Sequence, residues 1–233
     1  MKTSQMLMNF LFPSVCCFCG EITAYDRAVC VHCRETVSPI GGVTCTACGM
    51  ERGFCSCSER PTEYERCVAS FYYEDLPKQG VLLLKYGETP YISRYLSAYM
   101  AKQTAARLQG TRLDMVVAVP MHRLKRRARG YNQAEMLARP LAKRLGIRFC
   151  KDVLTQFREN KSQHLQQREA RAKNVAGIYR LGKSASIKGK TILLVDDILT
   201  TGATLRECAR VLMSGGAKAV YCVVFCATKP INA

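Results

Sequence analysis

The sequence predicts an α/β chain: a mostly parallel sheet flanked by helices, preceded by a small cysteine-bound module. Three observations carry this. Residues 115–119 (Met-Val-Val-Ala-Val) and 192–195 (Ile-Leu-Leu-Val) are short apolar runs without polar alternation, as in strands covered on both faces. Each run is followed by a polar loop and then by helical spacing, the strand–loop–helix order of parallel sheets. Ten of the fourteen cysteines fall within residues 1–67.

A chain of 233 residues accommodates one small and one medium domain, expected here at 1–66 and 67–233. A hydrophobic content of 48% supports a core, and no apolar run approaches the ~20 residues of a membrane span. The apolar stretch at 6–15 is broken by Asn9, Pro13 and Ser14 and runs straight into cysteines. That is not a signal-peptide pattern, and a cytoplasmic protein is expected. The net charge of +17 is uneven: residues 121–190 hold 19 basic and 4 acidic side chains, net +15. Such a block implies a polyanionic partner, nucleic acid or pyrophosphate.

The cysteines follow metal-ligand spacing. Cys16-x-x-Cys19 and Cys30-x-x-Cys33 form one pair of hooks, and Cys45-x-x-Cys48 with Cys55-x-Cys57 forms a second, one residue short in its last hook. Four thiolates complete a tetrahedral Zn²⁺ site, and metal binding supplies folding energy to a module with few large aliphatics. Several pairings satisfy the spacing: consecutive hooks, interleaved hooks, or Cys17 replacing a neighbour. His32, inside a hook, reads as a bystander. Four protein ligands leave no open position, so the zinc is structural. Cys67, Cys150, Cys208, Cys222 and Cys226 read as small buried hydrophobes.

After the 115–119 strand and Pro120 comes a loop, 121–133, with five Lys/Arg among residues 123–129. A helix is expected from about 134 to 145, with Met136/Leu137, Leu141 and Leu145 on one stripe. Residues 160–175 are polar and weakly periodic, suited to a mobile lid or a nucleic-acid contact, with His164 among them. The Gly177…Gly182-Lys183-Ser184 run matches a P-loop expression, but its interior is bulky and no helix pattern follows, so it is set aside.

The most informative stretch is 192–204. The apolar strand ends in Asp196 and Asp197. A small hydroxyl-rich turn follows (Thr200, Thr201, Gly202, Ala203, Thr204), and then a helix carrying Leu205, Cys208, Ala209 and Leu212, stopped by Gly215-Gly216. Strand, turn and helix N-terminus together hold a phosphate through backbone N–H groups, and the threonine hydroxyls add donors. Two carboxylates beside that pocket suit sugar hydroxyls or a hard cation such as Mg²⁺. A ribose 5-phosphate satisfies both halves. A further strand is expected at 219–226.

This stretch resembles the phosphoribosyl-pyrophosphate (PRPP) signature of type I phosphoribosyltransferases. The resemblance implies that Asp196 and Asp197 take the ribose diol and carry any catalysis, with Mg²⁺ accompanying PRPP, and that Thr200, Thr201, Gly202, Ala203 and Thr204 take the 5-phosphate. It also implies that the basic loop grips pyrophosphate. Arg123, Arg126, Arg127 and Arg129 are the candidates for pyrophosphate or DNA, since a guanidinium fork suits phosphate.

The whole order is similar to the ComF family of competence-associated proteins, also called GntX-like. It comprises cysteine hooks, Leu84-Lys85-Tyr86-Gly87, Val119-Pro120, Arg129-Gly-Tyr-Asn-Gln-Ala-Glu135, Gln163-x-x-x-x-Arg168, Asn174-Val175 and the acidic signature. The chain departs from the family pattern at Cys55-x-Cys57 and at Tyr131, where many members carry Phe. The resemblance implies a double zinc ribbon before a phosphoribosyltransferase-like domain, and a role in using imported DNA. PRPP, single-stranded DNA and competence-machinery proteins are the implied partners. Three functions follow: a PRPP- and DNA-binding accessory protein, an active phosphoribosyltransferase, or a zinc-module scaffold with a vestigial pocket.

Overall fold

In the computed structural model, which describes residues 14–23, 27–57, 63–87, 90–158, 177–183 and 185–230, a five-stranded parallel sheet is the framework. The elements in chain order are α1 (Val31–Thr36), β1 (Arg66–Tyr72), α2 (Asp75–Tyr86), α3 (Ser93–Arg107), β2 (Met115–Ala118), α4 (Arg123–Arg129), α5 (Gln133–Leu145), β3 (Arg148–Phe149), β4 (Leu154–Gln156), β5 (Tyr179–Leu181), β6 (Thr191–Leu199), α6 (Ala203–Ser214) and β7 (Ala219–Ala227). The sheet runs β1-β7-β6-β2-β3, every pair parallel, and β4 and β5 form a separate antiparallel pair.

The mostly parallel α/β architecture expected from the apolar runs is present, and Ile192, Leu193, Leu194 and Val195 are fully buried. Alternate strand residues separate two cores. Ile192, Leu194, Cys222 and Val224 pack against Leu205, Cys208 and Leu212 of α6. On the other face, Leu193, Val195, Val223 and Phe225 meet α2, α3 and α5 through Leu84, Met100 and Leu137.

Two local expectations are corrected. β6 does not stop before the aspartates but continues through them to Leu199. β7 runs alongside for its full length, pairing Val224 with Asp196, Cys226 with Ile198 and Ala227 with Leu199, so the backbone there keeps its ladder partner. The basic loop also contains a helix, α4, ended by Gly130 in the left-handed conformation. Arg, Leu, Lys and Ala are all good helix formers, and Gly at the end is the usual stop.

The cysteine module covers both faces at the β1 edge. Cys16, Cys17, Phe18 and Cys33 join the core under α2, α3 and α5, and Ile40, Cys48 and Met50 join the α6 side. Phe18 meets Phe71, Tyr99 and Phe225 at centroid distances of 5.6, 5.5 and 6.4 Å. Cys67 N–H donates to Thr46 O and Ile40 N–H to Ser70 O, which covers a terminal strand otherwise open to pairing. Gly49, in the left-handed region, lies against the Ala69 nitrogen, and a side chain there would drive into β1. Arg107, from α3, donates to Ile40 O, Gly41 O, Gly42 O and Thr44 Oγ1 at 2.8–3.1 Å. Arg107→Ala is expected to lower stability by about 1–2 kcal/mol, read as a melting midpoint several degrees lower with faster hydrogen exchange around 40–44.

Cys67, Cys208, Cys222 and Cys226 are buried as expected, whereas Cys150 is half-buried. The P-loop expression is ruled out structurally: Tyr179–Leu181 pairs with β4, and Gly182 abuts the Asp152 carbonyl. The 160–175 segment with His164, most of the 6–15 apolar run and Ser184 lie outside the described residues.

Candidate functional site

The thiols gather as two quartets. Cys16, Cys19, Cys30 and Cys33 form one and Cys45, Cys48, Cys55 and Cys57 the other, with all sulfurs in each set within 4.8 Å of one another. Hooks therefore pair consecutively, not interleaved. Cys17 belongs to neither set, and His32 stands exposed on α1. Tetrahedral Zn–S bonds of about 2.3 Å place sulfurs about 3.8 Å apart. Cys19 and Cys30 sulfurs are 3.8 Å apart, and those of Cys48 and Cys55 3.6 Å. Backbone N–H groups of Cys30, Cys33, Ala47 and Cys57 donate to Cys16, Cys30, Cys45 and Cys55 sulfurs at 3.3–3.4 Å, which favours thiolates. Burial raises the Cys16 thiol, but backbone N–H donors from Cys19, Cys30 and Phe18 more than offset it and bring it down to about 7. Donor set and geometry fit two structural zinc ions, and the short last hook still delivers Cys57.

The second constellation sits at the carboxyl ends of β6 and β2. Asp196 Oδ1 accepts the Asp197 N–H and Asp197 Oδ1 accepts the Ile198 N–H, both at 2.9 Å. Gly202, at φ 75°, is the residue before α6. A left-handed residue at this position folds the turn back over the strand end, which glycine does without strain. Thr201 Oγ1 accepts the Ala203 N–H at 3.4 Å, and Arg206 donates to Thr201 O at 3.1 Å. Asp196, Asp197 and residues 200–204 thus occupy one continuous strand–turn–helix unit. Burial, and then the adjacent Asp197 charge, push the Asp196 carboxyl well above the usual carboxylate range.

Lys85 reaches this pair from α2: its Nζ lies 2.8 Å from Asp197 Oδ2. Burial lowers the Lys85 ammonium, but Asp197 more than offsets this and holds it above its ordinary value. The adjacent Tyr86 lies under Arg129, whose guanidinium carbon is 5.3 Å from the ring centroid. Through Lys85 and Tyr86 the basic helix α4 is joined to the acidic pair. Arg123 and Arg127 are exposed, and Arg126 pairs with Glu135 at 3.1 Å.

The motif after α4 is a structural hub. Asn132 caps α5 through the Ala134 N–H (3.1 Å) and donates to Val119 O (2.9 Å). Glu135 holds both Arg126 and Arg139. Tyr131 Oη donates to Leu84 O at 2.6 Å, so its hydroxyl is used here. Tyr131→Phe is expected to cost about 1 kcal/mol, measured as a lower unfolding midpoint in denaturant with an unchanged slope. Periodicity and composition do not mark Lys85, Tyr131 or Glu135. Their signal is membership of the Leu84–Gly87 and Arg129–Glu135 motifs.

Residues 132–231 match the phosphoribosyl transferase domain model, and residues 7–69 match the double zinc ribbon domain model. The chain is 28% identical over 217 residues to the DNA utilization protein YhgH of Escherichia coli K12, covering 92% of this chain and 90% of that one. It is 24% identical to competence protein F of Haemophilus influenzae over 92% and 96% of the two chains, and 28% identical to competence protein ComFC of Bacillus subtilis over 82% and 80%. Among the described residues no helix is long and apolar enough to cross a membrane. With cysteine quartets, a parallel sheet and relatives matched over nearly its full length, the chain is similar to DNA-utilization and competence proteins and carries a double zinc ribbon and a phosphoribosyl transferase-type domain.

Proposed function

We propose that the β6–α6 unit binds PRPP with Mg²⁺ and that the basic surface around α4 holds single-stranded DNA, in a cytoplasmic protein that handles imported DNA. The observation that carries this is the juxtaposition of the Asp196–Asp197 pair with a glycine-initiated helix N-terminus. A phosphate meets backbone N–H groups and helix dipole at one end, and a diol meets carboxylates at the other. Asp196 and Asp197 would face Mg²⁺, whose part is to neutralise pyrophosphate charge. Because Lys85 already holds Asp197 Oδ2, the cation or diol meets the pair chiefly at Asp196. Among the described residues the buried His122 Nδ1, just before α4, has no partner, the kind of group a ligand in that loop completes. We place the module boundary at 66/67, just after the first residue of β1.

The intact acidic pair and turn favour a working pocket over a vestigial one. Titration calorimetry of the full chain with PRPP and Mg²⁺ tests the binding, and a saturable one-to-one isotherm is expected. Incubation with PRPP and a panel of bases, scored for pyrophosphate release, separates a transferase from a binding protein.

A further inference from the structure

Phe157 follows β4 directly, and the residue is 39% exposed. Its N–H donates to Ile178 O at 3.1 Å, which fixes its backbone on the β4–β5 frame. The guanidinium carbons of Arg158 and Arg180 lie 5.4 and 5.0 Å from the ring centroid. An isolated exposed aromatic is unremarkable in a soluble fold. This one carries two arginines over its ring, and the residue before it, Gln156, lines a cleft.

The cleft, about 220 Å³, lies between α4 and β4, and its lining includes Arg123, Arg126, Asn132, Phe149 and Gln156. None of the residues 196–204 lines it, so it is separate from the acidic pair. Its acidic members are already engaged. Glu135 is shared by Arg126 and Arg139, and Asp152 stands 4.0 Å from Lys151. Arg123 therefore leaves the lining net positive, and Arg158 and Arg180 add charge at Phe157, the residue after the lining Gln156. A positively lined slot too small for a drug-sized ligand, next in the chain to an exposed aromatic under two arginines, has the attributes of a surface that takes one flat base at a time from a polyanion.

We propose that Phe157, framed by Arg158 and Arg180, stacks one unpaired base of a single-stranded nucleic acid whose phosphates pass along Arg123 and α4. This rests on the reading that the basic surface binds single strands, and names where the base is held. A duplex does not fit this role, because its base faces are covered by their neighbours. Arginine over the ring offers a second planar group that a base stacks on or replaces, and neutralises the adjacent phosphate.

The test is fluorescence anisotropy of the full chain with a labelled 20-nucleotide oligo(dT) and with a duplex of equal length at one salt concentration. The variants are Phe157→Leu and Phe157→Trp. Because the side chain is exposed, both are expected to fold, which circular dichroism checks. Phe157→Leu is expected to weaken single-strand binding about 10-fold, within the range of stacking losses. Its slope of log affinity on log salt should be unchanged, since no phosphate contact is removed. Phe157→Trp should retain affinity, and a 2-aminopurine in the strand should be quenched by wild type and not by Phe157→Leu. Equal affinity of wild type and Phe157→Leu, or equal losses on duplex and single strand, would overturn the platform while leaving the basic surface standing. Failure of the wild type to bind oligo(dT) at any salt would overturn both.

Discussion

Cys33→Ala is expected to leave the chain unable to reach its native fold. Cys33 is fully buried and belongs to the first thiol quartet. That quartet anchors Phe18 among Phe71, Tyr99 and Phe225, so the loop that binds the metal is also part of the sheet's hydrophobic cover. Apparent zinc-binding free energies of about 10–16 kcal/mol in zinc-finger peptides match or exceed the roughly 5–15 kcal/mol that separates folded from unfolded domains. The exposed Cys57 offers the contrast. In Cys57→Ser, three thiolates remain and solvent or the serine hydroxyl completes the second site, so a folded protein with weakened second-site affinity is expected. Elemental analysis of the wild type should give two zinc ions per chain. Soluble Cys33→Ala protein with wild-type zinc and melting midpoint would contradict the structural role. Prolonged chelation should abolish the near-ultraviolet dichroism of the wild type, since both faces of the sheet lose part of their cover.

Replacing Asp196 and Asp197 together by Asn is expected to weaken PRPP binding at least about 100-fold while the sheet remains intact. Hydrogen bonds to charged groups contribute about 1.5–3 kcal/mol each, and loss of two such contacts reaches that factor. An unchanged isotherm in the double variant would remove the pair from the binding site. The single variants should separate in stability. Asp197→Asn leaves the Lys85 ammonium without its carboxylate at 2.8 Å, a destabilising loss for a largely buried cation. Asp196→Asn removes a carboxylate that burial and its neighbour's charge already disfavour. The expected order of melting midpoints at neutral pH is Asp196→Asn at or above wild type, with Asp197→Asn below.

The same geometry sets a pH dependence. The Asp196 carboxyl is raised in the folded state, so the native chain keeps a proton that the unfolded chain releases at ordinary carboxylate pH. Its contribution to stability is complete below the unfolded value, about 3.9, and is lost as pH rises through the raised folded value. Asp196→Asn should remove that decline. A cationic or diol ligand that favours the ionised pair should release a proton on binding, seen as a buffer-dependent heat in calorimetry.

Much of this was legible in local pattern. The 192–195 run had to be a doubly covered strand because it offers no polar face, and Leu205, Cys208, Ala209 and Leu212 form the buried stripe of α6. The cysteine hooks announced metal because thiol spacing is itself the coordination geometry. Other features were not legible because they depend on partners distant in the chain. β6 passes through the aspartates since β7 is there to pair with them, and no local signal reports the length of a neighbouring strand. α4 was hidden because a run of arginines reads as a loop by polarity, although its helix propensity is high.

The sequence by itself determined the α/β class, the two sets of metal-binding thiols, the acidic pair followed by a phosphate-type turn, and the basic block, since each is a property of adjacent residues. Only the tertiary structure decided that consecutive hooks share a metal, that the module covers both faces of the sheet, and that Lys85 neutralises Asp197. It also decided that Tyr131 uses its hydroxyl on Leu84 and that Arg158 and Arg180 meet over the Phe157 ring. These are contacts between elements, set by how crossovers bring separate chain segments to one sheet end, and sequence spacing carries no record of such distances.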